Sequence, residues 1–96
     1  MDINVQQLID MLDRQDVTLV NVHIPFAGNL PGTDLSIPFN EIVHYTDDLP
    51  TKDEPIVLYC RSGNMSTQAA RMLVQLGYTN IYKLDGGFDA WVAAGN

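Results

Sequence analysis

Two short apolar runs constrain the fold most. Val17–Val22 (VTLVNV) is rich in β-branched residues and carries no charge, and Ile56–Tyr59 (IVLY) is apolar without a break. Neither alternates polar with apolar residues, as a strand covered on one face does, so each reads as a strand buried on both sides. Ile81–Leu84 (IYKL) reads as a third strand. The segments between supply helices. Asn4 is placed to cap the first, with Gln7 three residues on as in a capping box and Ile3 and Leu8 spaced to staple across it. Val5, Leu8, Ile9 and Leu12 then recur at helical spacing. Ala69, Met72, Leu73 and Leu76 mark one face of another helix, ended by Gly77. A short helix is expected over Phe39–Tyr45 and a closing one in DGGFDAWVAAG, whereas PFAGNLPGTD and TDDLPTKDEP are loops and LSIP is a short extended piece. Strands alternating with helices predict an α/β fold: a mainly parallel sheet with helices on both faces, in one domain spanning residues 1–96.

Charge narrows the range of partners. A formal net charge of -7 and a sequence pI near 4.3 argue against nucleic acid or an anionic membrane, because both require a basic footprint. No stretch approaches the apolar length of a membrane span. The beginning, MDINVQQLID, has neither a basic leader nor an apolar run, and the expected location is the cytoplasm. With one cysteine, the chain can form no internal disulfide.

That cysteine is the candidate functional residue. Cys60 directly follows IVLY, at the carboxyl end of a predicted central strand, where open α/β sheets bind ligands. Residues Cys60 to Met65 (CRSGNM) then lead into a helix N-terminus, and Gly63 permits backbone geometry that other residues resist. A short loop of this kind turns several N–H groups toward one point and favours an anion there, so a thiolate would be stabilised and the thiol pKa lowered. A lone buried cysteine is also commonly a structural thiol, and position and periodicity leave both readings open.

Three segments, in order, resemble the rhodanese-like domain family. CRSGNMS is similar to its active-site loop, LVNVHIPFAGNLPGTDLSIPFNEI to its strand, loop and GHIPGA-IP stretch, and AARMLVQLGYTNIYKLDGGFDAW to its helix, strand and GGFxAW ending. The resemblance covers most of the chain from about Leu19. It implies a rhodanese-like fold with about five strands and a sulfurtransferase of the thiosulfate type with no cofactor and no metal. By that analogy Cys60 is the nucleophile of a ping-pong reaction. It takes sulfur from a donor such as thiosulfate, becomes a persulfide, and passes the sulfur to cyanide or a thiol. The resemblance also assigns the loop of Arg61, Ser62, Gly63, Asn64, Met65 and Ser66 to holding the thiolate and the donor. A protein could serve as persulfide donor or acceptor in a relay, and a binding module without turnover is the remaining alternative, although such modules usually lack the cysteine.

The chain departs from the family pattern at three places. Many members carry a second arginine where Met65 stands. Its absence removes a bidentate charged contact and brings an apolar or protein-borne donor into play, unless Met65 merely covers the loop. The family's DVR is here Asn21, Val22 and His23; His23 could face the rim of the Cys60 site or be a solvated loop residue. The usual GH histidine is Asn29, and His44 reads as a surface residue. For Ser66 a helix-capping role is expected, and Phe88 and Trp91 read as core anchors. A cysteine phosphatase of related fold needs an arginine where this chain has Ser66, which argues against that chemistry.

Overall fold

A computed structural model describes all of residues 1–96. The order along the chain is β1 (Asp2–Ile3), α1 (Val5–Arg14), β2 (Thr18–Asn21), β3 (Leu35–Ser36), two 3-10 segments (Phe39–His44 and Thr46–Asp48), β4 (Ile56–Tyr59), α2 (Asn64–Gln75), β5 (Ile81–Leu84) and α3 (Gly87–Ala93). The five strands form one sheet in the order β1-β5-β4-β2-β3, with every pairing parallel. β4 is the middle strand and all four of its residues are buried, as its unbroken apolar run requires.

Successive strand side chains point to opposite faces, and the core divides accordingly. On one face Ile56, Leu58 and Cys60 join Val20 and Val22 beneath Ala69 and Leu73 of α2 and Ile42 of the first 3-10 segment. On the other, Val57 and Tyr59 join Leu19 and Leu84 beneath Leu8 of α1, with Phe88 and Trp91 of α3 packed alongside. Leu8 is fully buried, which contributes about 1.5–3 kcal/mol relative to an exposed leucine. The expected capping box closes α1: the Gln7 N–H donates to Asn4 Oδ1 at 2.8 Å and the Asn4 N–H to Gln7 Oε1 at 2.8 Å. Ile3 and Leu8 share one cluster, and Ile3 also belongs to the edge strand β1. The helix expected over Phe39–Tyr45 is a 3-10 segment; Pro38 at its N-cap offers no side-chain acceptor to its first N–H groups.

Three features of the fold meet at one place. The loops after β2 and β4 leave the carboxyl edge of adjacent strands. The N-terminus of α3 is fastened to the second loop: the Phe88 N–H donates to the Cys60 carbonyl at 2.8 Å and the Asp89 N–H to that of Arg61 at 3.0 Å.

Candidate active site

Cys60 is 2% exposed and forms the floor of a small depression. Its Sγ accepts the Gly63 N–H at 2.9 Å and lies 3.6 Å from Ser66 Oγ. Burial pushes the thiol pKa up, but the Ser66 N–H and hydroxyl and the N–H groups of Gly63 and Ser62 outweigh it, and the net shift is downward. The thiolate is therefore stabilised mainly by backbone. Turning the N–H groups of Ser62, Gly63 and Ser66 onto one atom relies on the φ of +122° that Gly63 adopts. The two bonds from α3 hold the Cys60 and Arg61 carbonyls at the start of that loop. Gly87 is what lets α3 come so close: a Cβ at that position would run into the Cys60 carbonyl oxygen.

A cavity of about 70 Å³ lies against Cys60, lined also by Asn21, His23, Ala27, Gly28, Arg61 and Phe88. The β2 loop supplies one wall. Asn21, 2% exposed, donates from Nδ2 to the Gly28 carbonyl at 2.9 Å and to Asn29 Oδ1 at 3.0 Å, and its Oδ1 accepts the His23 N–H at 3.0 Å. The fold thus brings His23 to the rim of the Cys60 site, and its Nδ1 is buried without a hydrogen-bond partner.

Comparison with known proteins agrees with this geometry. The family profile described as rhodanese-like domain matches residues 1–94. This chain belongs to the rhodanese-like domain family. A thiosulfate sulfurtransferase, GlpE, of Pseudoalteromonas translucida is 36% identical over 95 residues, covering 96% of this chain and 89% of the relative. A sulfurtransferase of Allochromatium vinosum is 38% identical over 88 residues, covering 88% and 80%. The crystal structure of a rhodanese-related protein from Thermoplasma volcanium superposes with a TM-score of 0.82 at 29% identity, over 98% of this chain and 92% of that one. The rhodanese-like fold with a five-stranded sheet, expected from the loop motifs, is the fold observed.

The other loop residues of this rhodanese-like domain take separate places. The Arg61 guanidinium turns out to Asp89, Nε to Oδ1 3.4 Å, with both side chains about 60% exposed, so the pair adds little to stability. Ser62 and Asn64 are exposed, and Asn64 opens α2. Ser66 is fully buried inside the first turn of α2, while the N-cap is Gly63. The Ser66 hydroxyl donates to the Gly63 carbonyl at 3.0 Å, an oxygen that also receives the Thr67 hydroxyl at 2.8 Å and the Thr67 N–H at 3.1 Å. Met65 is not part of the cavity wall. It packs against the α2-side core, and its Sδ accepts the Ile24 N–H at 3.4 Å, 41 residues away in sequence. Asn29 is bound up in side-chain contacts with Asn21 and Ser36, and His44 is exposed. Phe88 both packs against the α1-side core and lines the cavity. Two contributions escaped the sequence reading, the α3 clamp and the Asn21 network. The paired glycines of Asp85-Gly86-Gly87 were the available signal for the first; nothing local announced the second.

Proposed function

We propose that this domain is a sulfurtransferase that carries sulfane sulfur as a persulfide on Cys60. The observation that carries the reading is the sulfur itself, ringed by N–H groups and a hydroxyl at the floor of an open cavity. With thiosulfate as donor, the Cys60 thiolate attacks the outer sulfur. A bond forms from Sγ to that sulfur, the donor's S–S bond breaks, and sulfite leaves with the electron pair. Cyanide or a thiolate then attacks the outer sulfur and Cys60 departs again as thiolate. The N–H groups that hold the negative charge at the start also receive it at the end. The chain's one cysteine leaves no internal thiol to resolve the persulfide, so the acceptor is external. The likeness to proteins named as sulfurtransferases supports the same class. The proposed setting is the cytoplasm; no helix is long and apolar enough to cross a membrane.

A protein-borne donor or acceptor is the second reading. It is favoured by Phe26, 63% exposed in the loop that supplies Ala27 and Gly28 to the cavity rim, where an apolar side chain gains by being covered. Both readings share one test. The protein is incubated with thiosulfate, desalted and weighed intact. A gain of one sulfur atom, lost on adding cyanide or dithiothreitol and absent in Cys60→Ala, is the expected result. Sulfur retained by Cys60→Ala would refute the assignment.

A further inference from the structure

We propose that His23 is the base that takes the proton from an incoming acceptor thiol, which fits this site to thiol acceptors. The inference rests on the persulfide reading of Cys60 and adds a second residue to it. His23 and Cys60 border the same cavity of about 70 Å³, so a sulfur atom seated over Cys60 occupies space that the imidazole also borders. His23 Nδ1 is the one buried side-chain nitrogen or oxygen in the molecule without a hydrogen bond. Nδ1 is closed to solvent, so Nε2, which is not buried and bonds to no other group, is the ring nitrogen open to an acceptor in the cavity. The main chain that carries the ring is pinned, the His23 N–H by Asn21 Oδ1 at 3.0 Å and the Ile24 N–H by Met65 Sδ at 3.4 Å.

The surroundings favour an acceptor that arrives uncharged. The titratable or charged groups facing the ring from the cavity wall are Cys60 and Arg61, and the Arg61 guanidinium is directed outward to Asp89 of α3. The β2 loop contributes Asn21, Ala27 and Gly28, α3 contributes Phe88, and α2 contributes the Met65 thioether behind the loop. No carboxylate lines the cavity. An acceptor thiol there gives its proton to His23 Nε2. Its sulfur bonds to the outer, protonated sulfur of the Cys60 persulfide, the bond from that sulfur to Sγ breaks, and the electron pair leaves on Cys60 as thiolate. The product is the acceptor's persulfide, with its proton retained, and the imidazolium returns the other proton to solvent.

The test uses single-turnover sulfur transfer from preloaded protein. Wild type, His23→Gln and His23→Ala are loaded with thiosulfate and the persulfide is verified by intact mass; failure of all three to load defeats the reading of Cys60, not that of His23. Loaded protein is then mixed with 2-mercaptoethanol or with sulfite, which in mildly alkaline buffer carries no proton to remove. With the thiol, His23→Gln should be slower by about 100-fold at neutral pH, the loss typical of a general base. The deficit should shrink as rising pH ionises the thiol in bulk. With sulfite the variants should match wild type. Added imidazole should accelerate His23→Ala with the thiol alone. Equal rates with the thiol at neutral pH, an equal loss with sulfite, or no response to imidazole would each overturn the proposal. The imidazole comparison is made within one variant, so a general loss of stability cannot imitate it.

Discussion

Two loops leave the carboxyl edge of the sheet side by side, and they are held by opposite means. The loop after β4, from Cys60 to Gly63, is fixed by backbone. Its carbonyls bond to the first N–H groups of α3 and its N–H groups turn to the sulfur. The loop after β2, from Val22 to Leu30, is fixed by side chains: Asn21 reaches the His23 N–H, the Gly28 carbonyl and Asn29, Met65 takes the Ile24 N–H, and the Tyr59 hydroxyl takes the Leu30 N–H at 2.9 Å. A backbone device depends on what it cannot contain, chiefly a Cβ in the wrong place. A side-chain device depends on particular atoms being present. Cys60 thus sits on the loop that is held by main chain, and the facing cavity wall sits on the one a single side-chain substitution can loosen.

Breaking the backbone device should have the largest effect. Gly87→Ala sets a methyl group against the Cys60 carbonyl at a φ of +57° and should cost about 2–4 kcal/mol from overpacking and left-handed strain together. Urea unfolding measures that loss, and the same variant should alkylate more slowly at neutral pH as the N–H groups leave the sulfur. Next, Asn21→Leu strands a half-buried carbonyl and a half-buried N–H in the β2 loop and should cost about 1–3 kcal/mol. It should still accept sulfur on Cys60, because the β4 loop does not use Asn21. Loss of loading in that variant would erase the distinction between the two loops.

Ser66→Ala sharpens the comparison from the other side. It should cost about 1 kcal/mol, since Gly63 keeps its bonds from Thr67. Its effect on the thiol has a definite sign. The folded-state pKa is lowered, so the fold favours the thiolate. That stabilisation is present above the unfolded thiol's pKa and is lost as pH falls through the folded value. Removing the hydroxyl should shift the pH midpoint of iodoacetamide alkylation upward; an unmoved midpoint would leave the backbone as sole support of the charge. The smallest effect is expected for Met65→Leu, which keeps the volume and loses only the Ile24 contact, about 0.5–1.5 kcal/mol. Its readout is faster proteolysis in the β2 loop at unchanged Cys60 reactivity.

Residues whose structure is set locally were legible in the sequence. The Asn4–Gln7 box, the buried runs of β2 and β4 and the turn at Gly63 all follow from neighbouring residues. β1 was not, because two residues carry no periodicity. Asp2 and Ile3 become a strand only by lying beside Lys83 and Leu84. The same limit applies to the site. Cys60 could be placed from its strand and loop, but the role of Met65 could not. Its position in the motif suggested a wall of the donor site, whereas the fold turns it to Ile24, and no reading of CRSGNMS contains that contact.

The three hydrogen bonds on the Gly63 carbonyl bear on how the site responds to charge. Ser66 has one hydroxyl hydrogen and two acceptors within reach of it, that carbonyl and the Cys60 sulfur. Because Thr67 supplies the carbonyl with two further donors, the Ser66 hydrogen can swing to the sulfur without orphaning an acceptor. The site thus contains a two-position rotor. Polarisation follows the sulfur's charge through one C–O torsion, while the surrounding main chain stays still. A change of charge on the sulfur is then met at the speed of a bond rotation, with no loop movement to wait for.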